Sequence, residues 1–198
     1  QIDDQIVHLL NQRITLARKI GEIKKKANLP IYVPEREQSI FDKLEKIPST
    51  IPPTVLKKIF REIISYTRSI EYPMKISFLG PQGSYTHQAV LCYFGSSIEE
   101  ISCLSIQDVF TEVEKEKALY GVVPIENSYH GVVSQTLDCL IDSDLKIIGE
   151  IYLRIRHSIL SKEKNIKNIK RIYSHPQSFE QSQIFLRSFL PNIERIEV

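Results

Sequence analysis

The sequence has little net charge, no long hydrophobic run and no basic segment at its start. Its 26 basic and 24 acidic residues leave a formal charge of only +2, so we interpret the lysine-rich stretches at 24–26 and 162–171 as solvated faces, not as a nucleic-acid site. No stretch approaches the roughly 18–20 apolar residues that cross a bilayer, and the first residues lack the basic start of a signal peptide. We therefore expect a cytoplasmic protein that binds neither nucleic acid nor a membrane.

Cysteine and histidine are too sparse to indicate a disulfide framework or a metal site. The three cysteines, Cys92, Cys103 and Cys139, are widely spaced, odd in number and set among apolar residues, which predicts reduced thiols in the core. The five histidines form no paired spacing with one another or with cysteine, so zinc has little support. We expect no metal ion.

Residues 1–72 show the spacing of three α-helices. Apolar residues recur every three or four positions from the start of the chain, which predicts one long helix that ends near Asn28, ahead of two prolines. A short second helix is predicted from Pro34, and a third after the proline-rich segment 47–53. Because three such helices bury little apolar surface alone, we expect an intertwined dimer in which a partner's helices complete the core.

Charged residues interrupt the apolar stripe of the first helix. Arg13 lies among leucines on the apolar face. Lys24, eleven residues later, points in nearly the same direction, about 16 Å further along the axis. The small residues Ala17 and Gly21 lie between the two cations. Because an unpaired buried charge is costly, this arrangement indicates a recess for an anionic ligand.

The second and third helices add polar residues to the same faces. Arg36 and Glu37 lie on the apolar side of the second helix, and Thr67 and Glu71 extend the apolar stripe of the third. In the alternative interpretation, the cations reach solvent and the glutamates merely pair with them. Four such charged residues within 72 positions favour a binding site: Arg13, Lys24, Glu37 and Glu71.

The runs IDDQIVHLLNQRITLARKIGEIKKKANLPIYVPEREQSIF and IFREIISYTRSIE resemble the all-helical type of chorismate mutase. The resemblance implies that Arg13 and Lys24 bind the two carboxylates and the ether-oxygen region of chorismate. It also implies that Glu37, next to Arg36, accepts the substrate hydroxyl. The remaining expected contacts are those of the third helix: Thr67 and Glu71.

Two positions depart from the family pattern. Val33 stands where members often have Asp, so a substrate contact there would have to come from its backbone, and Glu71 stands where many members have Gln. The family also uses an arginine that the partner subunit supplies from near its N-terminus. We expect that residue to precede Gln1.

The implied reaction, chorismate to prephenate, is pericyclic and needs no nucleophile, base or cofactor. Its barrier falls when the substrate is held in a compact conformer and the charge developing on the ether oxygen is stabilised. Lys24 can stabilise that charge directly. Glu71 can do so only when protonated, because an ionised carboxylate donates no hydrogen bond. We therefore predict catalytic roles for both residues and an activity that rises toward acid pH.

After a break at residues 72–74, strands alternate with helices over residues 75–198. The predicted strands are apolar runs at 75–80, 99–104, 120–126, 145–155, 170–174 and 193–198. Two capping-box signatures, Ser105-x-x-Asp108 and Ser178-x-x-Gln181, predict helix starts. The alternation predicts a largely parallel α/β sheet, in which ligands bind beyond the carboxyl ends of the strands.

Polar motifs stand at three of these predicted strand ends. The runs KISFLGPQGSYTHQA, GVVPIENSYHGVV and RIYSHPQSFEQ contain them, and together they resemble the catalytic domain of prephenate dehydratase. The resemblance implies a two-lobed fold like that of a periplasmic binding protein, with prephenate losing carbon dioxide and water in the interlobe cleft to give phenylpyruvate. The residues then expected to line the cleft are Asn127, Ser128, Ser174, His175 and Gln177.

The order of the two parts resembles the bifunctional enzymes of phenylalanine biosynthesis. Acid assistance to the departing hydroxyl is associated in the family with a Thr-Arg-Phe segment, which this sequence lacks. The second lobe would begin near His157 and hold only about forty residues, so we expect an incomplete lobe and no dehydratase activity from this chain alone. A non-catalytic solute-binding or sensory module is the alternative, and the missing export signal and the attached helices count against it.

Overall fold

The computed structural model describes residues 1–27, 29, 32–128 and 131–198. They divide into two compact units, Gln1–Asn127 with Val132–Tyr152, and Ser128–Gly131 with Leu153–Val198. The first unit contains three helices followed by an α/β part, as the sequence predicts. Asn28, where the first helix was expected to end, lies outside the described residues.

The three helices of the N-terminal part are α1 (Ile2–Lys26), α2 (Pro34–Lys46) and α3 (Pro53–Glu71). Acidic residues in the first turn of α1 and lysines in its last turn suit the helix dipole. Both α2 and α3 begin with a proline, which is favoured at the first helical position. Their shared core consists of Phe41, Leu44 and Ile64, with Ile40 and Phe60 packed against it.

The apolar residues of α1 are mostly exposed. Within α1, all of which the structure describes, Ala17 and Gly21 are the buried residues. Six large apolar side chains of this helix are at least half exposed: Ile2, Ile6, Val7, Leu9, Leu16 and Ile23. A long apolar face of α1 is therefore not packed against any other part of the chain that the structure describes.

The α/β part of the first unit is built around a parallel three-stranded sheet. Its elements are β1 (Lys75–Leu79), α4 (Tyr85–Phe94), β2 (Glu99–Cys103), α5 (Ile106–Glu114), β3 (Tyr120–Val122), β4 (Glu126–Asn127), β5 (Gly131–Val132) and α6 (Ser134–Asp142); within β5, Gly131 is counted with the second unit. The order is β2-β1-β3, and β1 runs parallel to both neighbours. The main core joins Met74, Ile76, Phe78, Val90 and Phe94.

The end of α4 packs closely against α3. Gly95 follows α4 with a φ of 77°, which favours glycine, and a Cβ atom there would lie 2.5 Å from the Cβ of Ser65 on α3. Glycine at this position therefore allows the close approach of the two helices.

The second unit contains a smaller parallel pair of strands and two short helices. Its elements are β6 (Arg171–Ser174), α7 (Pro176–Gln181), α8 (Gln183–Phe189) and β7 (Glu194–Glu197), preceded by a 3-10 turn at Ile166–Asn168. Strands β6 and β7 are parallel. The helices bury Phe179, Leu186 and Leu190.

The structure corrects three expectations about local structure. The run 145–155 forms no strand: its alternating pattern suits one, but no strand among the described residues pairs with it, and Tyr152 is 89% exposed. The predicted strand at 120–126 ends early, at Val122. Cys92, which was expected in the core, is exposed, whereas the other two cysteines are buried and all three are free.

One of the two predicted capping boxes is confirmed and the other is wrong. Ser105 Oγ accepts the Asp108 N–H at 3.1 Å, and an Asp108 carboxylate oxygen accepts the Ser105 N–H at 3.1 Å. In contrast, α7 begins at Pro176, two residues before Ser178. His175 takes the capping position, because proline favours the first helical position and the His175 Nδ1 atom accepts the Gln177 N–H.

None of the helices among the described residues has both the length and the apolar character that crossing a membrane requires. In the same residues, no group of three or more His, Cys, Asp and Glu side chains could hold a metal ion.

Candidate active site

A cavity of about 190 Å³ lies among α1, α2 and α3, and we call it the helical cavity. All seven residues expected from the mutase resemblance line it: Arg13, Lys24, Val33, Arg36, Glu37, Thr67 and Glu71. The remaining lining residues are Leu16, Ala17, Ile20, Ile40, Ile64 and Arg68. Side chains that are far apart in the sequence thus share one recess, which charged and apolar residues line together.

Helix α1 approaches α3 closely at the cavity because it carries small residues there. A Cβ atom added to Gly21 would lie 3.0 Å from the Cγ of Glu71, so glycine leaves the room that the glutamate occupies. The Lys24 Nζ atom lies 3.9 Å from a carboxylate oxygen of Glu71, and both side chains are largely buried. This places an acid and a cation opposite each other at one end of the cavity.

A second contact between α1 and α3 holds the guanidinium of Arg13. Its Nη1 atom donates a hydrogen bond to Thr67 Oγ1, and that hydroxyl donates to the Ile63 carbonyl one turn earlier on α3. Burial lowers the pKa of Arg13, the carboxylate of Glu71 opposes that effect, and Arg36 adds to it. A half-buried cation beside a second cation favours the binding of an anion.

Glu37 is held by an arginine that the sequence analysis did not select. Arg68 Nη1 donates to Glu37 Oε1 at 2.6 Å, and the two side chains are 6% and 17% exposed. A signal was present in the sequence, because Arg68 follows the apolar Ile64 by four residues and therefore lies on the same face of α3.

The charges of the helical cavity suit a ligand with two negative charges. Its described lining contains four cationic side chains and two carboxylates. Each carboxylate has a cation as a partner, Glu37 with Arg68 and Glu71 with Lys24. The formal charge of the lining is therefore +2, which a dicarboxylate would balance.

The five residues expected to line a prephenate cleft fall into both compact units. Ser174 ends β6, His175 precedes α7 as its cap, and Gln177 donates its N–H to His175 at 3.3 Å. These three residues therefore lie together at the carboxyl end of β6. Ser128 belongs to the same unit, whereas Asn127 belongs to the first.

Family models match both parts of the chain. A model described as prephenate dehydratase matches residues 76–198, and one described as chorismate mutase type II matches residues 1–72.

Curated relatives match the chain over nearly its whole length, and each is named bifunctional chorismate mutase/prephenate dehydratase. The relative from Aquifex aeolicus is 46% identical over 100% of this chain and 56% of its own length. The relative from Neisseria gonorrhoeae is 38% identical over 100% of this chain and 54% of its own length. The one from Escherichia coli K12 is 30% identical over 95% of this chain and 54% of its own length. The chain therefore spans about half the length of the curated relatives it matches.

A solved structure also matches. The prephenate dehydratase from Arthrobacter aurescens, in complex with L-Phe, is 27% identical, covers 63% of this chain and 42% of its own, and has a TM-score of 0.49.

Proposed function

The chain belongs to the prephenate dehydratase family and carries a chorismate mutase type II segment ahead of that domain, and from this premise we propose that its helices rearrange chorismate to prephenate. The observation that carries the proposal is the helical cavity, whose described lining has four cations and two carboxylates. Chorismate is a dicarboxylate, so its two charges would balance this lining. The non-catalytic binding module is not favoured, because the relatives are named as enzymes.

We assign the substrate contacts as the family resemblance implies. Arg13 and Lys24 bind the carboxylates and the ether-oxygen region, and Arg36 adds a further positive charge. Glu37 accepts the substrate hydroxyl. The other assigned contacts are the backbone of Val33 and the side chains of Thr67 and Glu71.

In the proposed reaction one carbon–oxygen bond breaks and one carbon–carbon bond forms within the same molecule. The protein's residues hold the substrate compact and stabilise the charge that develops on the ether oxygen. Lys24 lies on the cavity wall with its side chain 15% exposed. A cation in such a poorly solvated place stabilises developing charge more strongly than it would in water.

The proposal is tested by incubating the chain with chorismate and measuring the formation of prephenate. We expect conversion by the unaltered chain and a loss of about a hundredfold or more in kcat for Lys24→Met. Lys25→Met is the matched control, because Lys25 is the exposed neighbour of Lys24 and should retain activity. An unaltered chain that makes no prephenate would contradict the proposal.

We propose that residues 75–198 form the first part of a two-lobed dehydratase that converts prephenate to phenylpyruvate in a longer protein. The family match over 76–198 and the names of the relatives support this. Asn127, Ser128, Ser174, His175 and Gln177 then contribute to the cleft between the lobes. The pair of activities serves phenylalanine biosynthesis, for which we propose a cytoplasmic location. The test is to assay phenylpyruvate formation by a protein extended to the length of its relatives, with and without His175→Ala.

We further propose that two copies of the chain pair through α1. The exposed apolar residues of that helix support this, since soluble proteins rarely leave such a face uncovered.

A further inference from the structure

Arg68 connects the helical cavity to the α/β part of the first unit. Its Nη1 atom donates to Glu37 Oε1 at 2.6 Å, and its Nη2 atom donates to the Phe94 carbonyl at the end of α4, also at 2.6 Å. The centre of the guanidinium lies 4.9 Å from the ring centroid of Tyr32 and 5.9 Å from that of Phe94. One buried side chain thus makes contacts in two directions.

The placement of Arg68 is costly for stability alone. The residue is 5% exposed, and its Nε atom has no hydrogen-bond partner among the described residues. Burying a guanidinium with one donor left unsatisfied is unfavourable, and apolar side chains of similar volume often stabilise such a site as well or better. Its two short charged hydrogen bonds therefore call for an explanation beyond packing.

The contact with Glu37 explains why an arginine is buried at this position. A planar guanidinium can donate to two acceptors at a fixed angle, which a lysine cannot do. With one end fixed on the Phe94 carbonyl, the other end restricts where the Glu37 carboxylate can lie. A carboxylate has two acceptor oxygens, so Glu37 keeps Oε2 for a second donor after Arg68 has bound Oε1.

We infer that Arg68 is a positioning residue that holds Glu37 in place for the substrate hydroxyl and that is itself anchored by the end of α4. The inference rests on the proposed mutase function. It means that the geometry of the helical cavity depends on a main-chain carbonyl of the α/β part.

A matched control residue lies two turns earlier on the same helix. Arg61 Nη1 donates to the Tyr93 carbonyl, next to the Phe94 carbonyl, at 2.7 Å, and its guanidinium lies 4.7 Å from the Phe41 ring centroid. It therefore makes the same kind of contact with the end of α4 and with an aromatic ring. It does not line the helical cavity.

The test is a double-mutant cycle measured as kcat and KM for chorismate with the full chain. We expect Arg68→Met to lower kcat/KM by about tenfold to a hundredfold, because it removes a charged hydrogen bond that orients Glu37. In a Glu37→Ala background the same change should cost less than about twofold, because no acceptor is left at position 37 to be oriented. Arg61→Met should leave kcat/KM within about twofold in both backgrounds.

Each result either supports the inference or overturns it. A loss for Arg68→Met that is as large in the Glu37→Ala background, or that Arg61→Met reproduces, would mean that Arg68 only stabilises the fold. If Arg68→Met does not fold, Arg68→Lys takes its place, since it keeps the charge but not the two-ended contact, and the same comparison of backgrounds applies. An unaltered chain without activity would overturn the proposed function and this inference with it, whereas the other negative results leave the function standing.

Discussion

Glu71 and Lys24 lie across from each other in the helical cavity, 3.9 Å apart. An ionised Glu71 attracts the ammonium group and offers the ether oxygen no hydrogen bond. A protonated Glu71 can donate one and leaves Lys24 available to the substrate. In the proposed reaction, the proton on Glu71 would add a second donor to the reacting oxygen beside Lys24.

Replacing Glu71 with Gln should flatten the pH dependence of the proposed mutase activity. As expected from the sequence, kcat/KM of the unaltered chain should rise toward acid pH, because only a protonated carboxyl donates a hydrogen bond. The amide of Gln donates at every pH, so the variant should show little slope. A profile that stays the same in Glu71→Gln would refute a role for the carboxyl proton.

Tyr32 should make the fold sensitive to alkali. Burial raises the pKa of its phenol, and the charge of Glu37 raises it further. Above the ordinary tyrosine pKa of about 10, the unfolded chain loses the proton first, so the free energy of unfolding falls as pH rises. We expect Tyr32→Phe to show a smaller fall in denaturant titrations between about pH 9 and pH 11.

The control for this measurement is Tyr66→Phe, because Tyr66 is 52% exposed. The free energy of unfolding of this variant should change with pH as that of the unaltered chain does. If the free energy of unfolding falls equally with pH in the unaltered chain, in Tyr32→Phe and in Tyr66→Phe, then Tyr32 does not contribute to the loss of stability at high pH.

Single residues of the site differ in how far the sequence predicts them. The helical repeat brings Arg13 and Lys24 to one wall, and the structure places all seven expected residues around one cavity; their catalytic and binding roles stay predictions. Arg68 was missed although its spacing from Ile64 places it on the same face of α3. Its two partners, Glu37 and the Phe94 carbonyl, lie in other elements, and contacts between distant segments leave no periodic trace in the sequence.

At the scale of whole elements, the approach of α1 to α3 depends on Gly21. Alanine in the middle of a helix is favoured over glycine by about 1 kcal/mol. However, its Cβ atom would lie 3.0 Å from the Cγ and 3.3 Å from the Cβ of Glu71, so the glutamate would have to shift.

We therefore expect Gly21→Ala to lower kcat/KM severalfold while the melting temperature changes little, because the gain in helix propensity offsets the crowding. Thermal unfolding and mutase assays on the same preparation check both parts. The pair Arg18→Ala and Arg18→Gly, at an exposed position inside α1 that does not line the cavity, indicates the size of a propensity effect alone. Unchanged kinetics in Gly21→Ala would mean that Glu71 does not need its present position.

The elements themselves were predicted unevenly, for physical reasons. The three N-terminal helices, β1, β2, β6 and β7 follow their predicted positions closely, because periodicity and proline mark them in the sequence. The run 145–155 has the alternation of a strand, but a strand also needs a neighbour to accept its hydrogen bonds. In α7, the local preference of proline overrode the Ser178 signature.

At the scale of the whole molecule, the exposed face of α1 should determine the oligomeric state. We expect the chain to sediment with about twice its mass of 22.9 kDa, and Leu9→Glu to shift it toward the monomer by placing a charge in an apolar contact. Leu9 is 62% exposed in the single chain. Arg18→Glu is the control that should leave the mass unchanged, because Arg18 is exposed and, nine residues after Leu9, lies on the opposite side of α1. A monomeric unaltered chain at all concentrations would contradict the proposed pairing.

Arg61 and Arg68 of α3 both contact the end of α4. These contacts would be missing if the three helices were produced as a separate fragment. A segment cut at residues 72–74 would lose the carbonyl groups of Tyr93 and Phe94 that Arg61 and Arg68 bind. The ring of Phe94 that packs against Tyr32 would be lost with them. Moving the three helices onto another scaffold therefore requires keeping α4 with them, or replacing both arginines with residues that suit a solvent-exposed helix end.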